Sequence, residues 1–342
     1  MRIALPGEGA MLSAKSLLRR ARWTRGVLTG ALAAALAAAL AAGGAPASAA
    51  TTQPNVAWSS QLAGWTEEYV PTSENDCVAG RDNCLKATLR ELARIADDTA
   101  KSCSHDAIFS RAYLRMTQTY GWSRDIPGYY EDVPFANHQD AVFAKYYTDA
   151  YYAYQSGGSV PEAWRIAFDA SRDKRVSATG SLLLGMNAHI VRDLPFVLAG
   201  VGLVAPDGSS RKPDFDAVEQ WLYTATRPLL AELATRFDPT ADDGDDSAGI
   251  SNVTLFQIVS AQRETAWRNA EALVSAPTPE ARAVVAASIE AEAVSAAQTL
   301  LRTQSYAPLL ESSGPRDQWC TVHRDDAPPL PYDFGEAKPY GY

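Results

Sequence analysis

From Leu85 onward apolar residues recur at spacings of three and four, the period of helices that bury one face. Leu85, Leu89, Leu92 and Ile95 open the pattern. A second stripe, His105, Phe109, Ala112, Met116 and Tyr120, follows Ser104 as a candidate N-cap and stops at Gly121. Asn137 is placed to cap a third helix over 138–154, with Asp140 at the reciprocal capping position and Phe143, Tyr146, Tyr147, Ala150 and Tyr154 as its core face. Gly157 and Gly158 end it, and Pro161 opens another through Trp164, Ala167 and Phe168. The most apolar stretch predicts a central helix over about 176–194, closing or kinking at Pro195 because proline disfavours helical geometry in the residue before it.

A short apolar piece at 196–204 leads through a loop at 205–213 to a helix from Asp214 with Phe215, Val218, Leu222, Leu229 and Leu233 inside and a kink at Pro228. Helices over 252–274 and 279–302 follow. The loop 122–136 is long and aromatic, and the acid run 238–246 reads as solvated, lacking the glycine and final glutamate of a calcium loop. Residues 51–83 and 305–342 read as irregular arms. No run alternates with period two, so the expected class is all-α, a single multi-helix domain of up to about ten helices around the central one.

Composition changes the setting more than the fold. Residues 1–50 read as an export signal: Arg19, Arg20, Arg22 and Arg25 precede an apolar run at 27–42 and the small residues Ala47-Ser48-Ala49. Cleavage near Ala49 would leave 51–342 as one secreted domain with no stable membrane span, and would take the net charge from −9 to −14. Such a surface disfavours nucleic acid as a general partner and leaves a small-molecule or lipid-like ligand as the expected one. Four cysteines in an exported chain suggest two disulfides, with three connectivities open. The short spacing of Cys77 and Cys84 favours one loop between them, leaving Cys103 for Cys320.

The candidate chemistry sits in the central helix, where His189 and Asp193 lie one turn apart on the apolar face. A lone buried carboxylate is costly, so Asp193 needs a partner. His105, His138, His189 and Asp193 together would suit a divalent metal, zinc foremost, with a bound water made acidic for hydrolysis. Glu131 or Asp140 would then serve as general base, and Tyr129, Tyr130, Asn187 and Arg192 would line the pocket. The competing reading is a buried network in which Asp193 accepts hydrogen bonds from a histidine or tyrosine, in a non-catalytic binding protein. Loops for phosphate or dinucleotide binding and a GxSxG elbow are missing from the sequence.

Four strings, Leu182-Leu183-Leu184-Gly185-Met186-Asn187-Ala188-His189-Ile190-Val191-Arg192-Asp193-Leu194-Pro195, the segments around His105-Asp106-Ala107-Ile108-Phe109 and Asn137-His138-Gln139-Asp140, and Ser210-Arg211-Lys212-Pro213-Asp214, resemble domain of unknown function family 5995. That resemblance implies a grouping of these motifs and no reaction. A weaker likeness, a helical His followed by Asp at the fourth place, is similar to part of the ligand pattern of helical zinc-dependent phospholipases C and single-strand nucleases. It implies phosphoester hydrolysis at a simpler site than their three-zinc cluster, because the N-terminal tryptophan ligand has no counterpart here.

Overall fold

The structure is a computed structural model that describes residues 68–242, 250–307 and 311–335. The chain divides into two compact units, Met1–Thr51 with Gly244–Thr254, and Thr52–Asp243 with Leu255–Tyr342. Only the second is described below. The expected export signal, the first part of the N-terminal arm and part of the acid run lie outside the described residues.

The described secondary structure is helical, with isolated bridges in place of strands. In chain order the elements are α1 (Asp82–Lys101), α2 (Ala107–Ser123), α3 (Val133–Gln155), α4 (Glu162–Arg172), α5 (Ala178–Met186), a π-helical segment (Asn187–Asp193), α6 (Leu194–Val201), α7 (Lys212–Ala217), α8 (Glu219–Arg236), α9 (Ile250–Ser275), α10 (Pro279–Gln304) and α11 (Gly314–His323).

α5, the π segment and α6 form one continuous rod, so the central helix passes through Pro195 instead of ending there. In a regular α-helix the proline ring would press on the carbonyl four residues earlier, that of Val191. Val191 lies in the π segment, whose wider turn displaces its carbonyls and accommodates the ring. By length and composition Ala178–Val201 could cross a membrane, but 89% of its apolar window is buried in the body, which makes it a core helix here.

Around the rod pack α2, α3, α4 and α10. One apolar cluster joins Val142, Tyr146, Phe196, Val197 and Ile289, and a second joins Leu194, Leu198, Phe215, Trp267 and Ala270. α6 supplies both, as its nearly uniform hydrophobicity requires. Gly185 lets α2 approach closely: a Cβ there would stand 2.3 Å from the Phe109 ring.

One helix start differs from expectation. α3 begins at Val133, capped by Asp132, whose Oδ1 accepts from the Phe135 amide at 3.1 Å, with Pro134 in the first turn. Asn137 is therefore interior and buried, donating to the Gly80 carbonyl at 2.9 Å and accepting from Tyr120 and Arg124. The C-terminal arm is not wholly irregular, since α11 folds onto the body. Trp319 donates to the Thr235 carbonyl at 2.9 Å, and Cys320 is bonded to Cys103. The other disulfide joins Cys77 and Cys84. Two such bonds fit an oxidising, extracellular setting.

A buried ion cluster fastens α2 to α8. Glu232, fully buried, accepts from Arg115 Nε at 2.7 Å and Nη2 at 2.8 Å, from Arg236 Nη1 at 2.9 Å and from the Tyr332 hydroxyl at 2.8 Å. These bonds and the charges of Arg115 and Arg111 outweigh its desolvation and hold its carboxyl down at about 2.

Candidate functional site

Asp193 finds its partners among side chains. Its Oδ2 accepts from the Trp164 indole of α4 at 2.8 Å, and its Oδ1 accepts from Arg192 Nη1 at 2.9 Å. His189 Nδ1 stands a longer 3.4 Å from Oδ2. Arg192 reaches onward to Glu290 of α10 at 2.7–2.8 Å, and Asn187 donates to the Ala293 carbonyl at 2.8 Å. The π segment is thus clamped between α4 and α10 by polar bonds. Asn187 and Arg192 serve that clamp and are not among the residues lining the cavity described below.

The histidines expected to share a metal lie in different surroundings. His105 uses both ring nitrogens within the fold: Arg316 Nη1 donates to Nδ1 at 3.1 Å, and Nε2 bonds Asp317 Oδ1 at 3.0 Å. A guanidinium can only donate, so Nδ1 accepts, Nε2–H donates and the ring is neutral. Burial and the Arg316 charge press its pKa down to about 4, against the opposing pull of Asp317. His138 donates from Nδ1 to the Cys77 carbonyl at 2.8 Å and packs beside Tyr69. Among the described residues no three His, Cys, Asp or Glu side chains are grouped to hold a metal. Of the four expected ligands only His189 and Asp193 meet.

His189 opens instead onto a cavity of about 180 Å³. Its ring lies flat on Phe143, centroids 3.6 Å apart, with the edge of Tyr113 at 4.4 Å. Because Asp193 already accepts from Trp164 and Arg192, Nδ1 donates to it and Nε2 keeps its lone pair. Burial lowers the His189 pKa, the Asp193 bond and charge opposing, so the neutral ring is favoured. Nε2 is buried with no hydrogen-bond partner in the protein.

Asp140 lines the same cavity from α3, and its Oδ2 is likewise buried without a partner. Burial pushes its carboxyl up to about 7, opposed by the charge of Arg124. From α2 come Tyr113 and Thr117, whose hydroxyls neighbour each other; burial pushes the Tyr113 hydroxyl well up, and a bond from Thr117 opposes that push. The rest of the wall is mainly apolar, from Met186, Leu182 and Ile190 on the rod to Phe215, Leu229 and Phe256 opposite. Tyr130 belongs to the wall and bonds Ser123 through its hydroxyl at 2.9 Å.

Two expected members lie elsewhere. Glu131 is exposed and uses its amide to bind Asp214 at 2.8 Å, because the 122–136 loop turns outward before Asp132 caps α3. Tyr129 donates to the Ala217 carbonyl at 2.7 Å, bracing that loop against the end of α7. Tyr113 and Thr117 were missed because they flank the Phe109–Ala112–Met116 stripe. The available signal was two hydroxyls one turn apart beside an apolar face.

A model of a family of unknown function, DUF5995, matches residues 85–303, more than half of the chain. No curated protein and no solved structure matches it.

Proposed function

Because the chain belongs to DUF5995, a family of unknown function, no reaction comes with membership, and we propose from the site itself that the protein binds a small, largely apolar molecule in the His189–Asp140 cavity. One observation carries the reading: an apolar cavity of about 180 Å³ into whose walls His189 Nε2 and Asp140 Oδ2 bring buried polar atoms with no protein partner, beside the Tyr113 and Thr117 hydroxyls. Buried polar groups are normally satisfied, and a small-molecule site typically joins an apolar wall to a few convergent polar groups. The volume exceeds the roughly 150 Å³ of an apolar cavity that accepts benzene. The charge pattern of residues 1–50 and the two disulfides support a place outside the cytoplasm.

The test is thermal unfolding with benzyl alcohol and hexan-1-ol, alone and against Ala136→Phe, which fills the cavity from its wall. A ligand at ten times its Kd adds about 1.4 kcal/mol, a rise of about 2 °C for a chain of this size. Wild type should show saturable stabilisation that Ala136→Phe removes. Equal shifts in both proteins would refute a cavity site.

A second reading has one observation in its favour: His189 presents a free Nε2 to the cavity while Nδ1 faces Asp193, the orientation of a general base. Hydrolysis of a small ester, abolished in His189→Gln with the fold intact, would favour it. Rates indistinguishable between the two proteins would sink it.

A further inference from the structure

Resting on that binding reading, we infer that the ligand is a hydrophobic amine, held with its ammonium group between Asp140 and His189 Nε2 and its apolar body against the aromatic wall. Complementarity of the unmatched atoms leads there. Asp140 Oδ2 and His189 Nε2 are both acceptors, given the bond pattern that commits the His189 proton to Asp193. Tyr113 and Thr117 hydroxyls can turn to accept as well. A site with surplus acceptors and a carboxyl with no ion pair of its own, which Arg124 reaches only through its field, calls for a donor-rich cation. The rings of Tyr113 and Phe143 beside it add the quadrupole that attracts ammonium groups.

The charged groups around the cavity do not supply that cation themselves. On α2, Arg124 is bonded to Asp82 at 3.1 Å and to the Asn137 side chain at 3.0 Å. On the opposite wall Arg211 is paired with Asp132 at 3.0 Å, and Arg263 with Glu219 at 3.1 Å and the Phe215 carbonyl. Asp214 accepts from the Glu131 and Asp132 amides at 2.8 and 2.9 Å. Tyr113 and Tyr120 are pushed well above the ordinary phenol range by burial, and His189 is held neutral, so near neutrality Asp140 is the wall group that changes charge. An anionic ligand would face Asp140, while the wall cations Arg211 and Arg263 are already paired.

The experiment is calorimetric titration of the full disulfide-bonded chain with benzylamine, benzyl alcohol and benzoate at pH 6 and pH 8. With Asp140 titrating at about 7, its ionised fraction rises roughly tenfold between these values. Benzylamine, cationic throughout, should bind about tenfold more tightly at pH 8, and there more tightly than benzyl alcohol. Asp140→Asn should abolish both the pH dependence and the amine preference while still binding the alcohol. The wild-type pH profile stands by itself should that variant fail to fold. Alcohol binding with no amine preference, or benzoate binding that strengthens on acidification, would overturn the amine assignment and leave the cavity reading intact. Failure of all three probes would overturn both.

Discussion

Replacing Glu232 by glutamine keeps the shape of the α2–α8 junction and removes its only fully buried carboxylate charge from among three guanidiniums. Arg115 would retain Gln118, Arg111 would retain Asp97 and Arg236 would retain the Arg324 carbonyl. Each would nevertheless lose the anion it was buried against. Two routes give the size of the effect. Removing one partner of a buried pair costs roughly 3–5 kcal/mol. The carboxyl is depressed from 4.5 to about 2, and at 1.36 kcal/mol per pH unit that is about 3 kcal/mol. The sign follows from the depression: between these values the unfolded chain takes up a proton that the folded chain refuses. Stability is therefore full above pH 4.5 and drains away as pH falls through about 2. Urea unfolding followed by circular dichroism should show Glu232→Gln less stable by about 3 kcal/mol at pH 7, with the gap closing to about 1 kcal/mol at pH 2.5. A gap below about 1 kcal/mol at pH 7, or one that does not change with pH, would refute the claim that this carboxylate's charge holds the junction.

Three further outcomes are expected. Neutral His105, pressed down from 6.5 to about 4, makes folding lose up to about 3 kcal/mol as pH falls across that window, because only the unfolded ring accepts the proton. His105→Gln should flatten that part of the stability–pH curve, and an unchanged slope would show that His105 does not cause it. Removing the Cys103–Cys320 bond with a double serine variant frees a loop spanning 217 residues and should cost about 5 kcal/mol by chain entropy. The corresponding loss at Cys77–Cys84, separated by 7, should be about half as large in the same denaturation assay. Gly185→Ala drives a methyl group into the Phe109 ring and should cost about 1–3 kcal/mol. It should also displace that ring toward the cavity and weaken benzyl alcohol binding, whereas unchanged affinity would show that α2 yields elsewhere.

The helices were legible because burial of one face leaves its period in the chain, and all-α character followed from Leu85 to Arg302. The π segment was not, since one widened turn alters hydrogen bonding without altering composition. Asn137 looked like a cap by residue type, yet Asp132 with Pro134 next to Val133 was the stronger start, and the protein uses it. Asp193 advertised a need for partners, but sequence spacing pointed to His189 while the shorter bonds come from Trp164 and Arg192. The Trp164 bond joins different helices, and the Arg192 bond joins neighbours whose side chains an ideal α-helix would direct apart. The Arg115–Glu232 pair spans 117 residues and leaves no local trace. The polar atoms of the cavity were legible in part: His189 and Asp140 stand among the candidate site residues, whereas Tyr113 and Thr117, beside the apolar stripe of α2, gain their place only through tertiary packing.

The two disulfides also impose an order in time. At a synthesis rate of about 5–20 residues per second, Cys103 exists for on the order of 10–40 s before Cys320 has been made. In a chain exported into an oxidising compartment as it is made, the free thiol can be captured during that wait by either upstream cysteine. Cys77 and Cys84, only 7 apart, have the shortest route to each other, and once joined both are withdrawn from competition. The small loop near the start of the described fold thereby safeguards the long closure, so loss of Cys84 alone would surface as mispaired Cys77–Cys103 chains during biosynthesis.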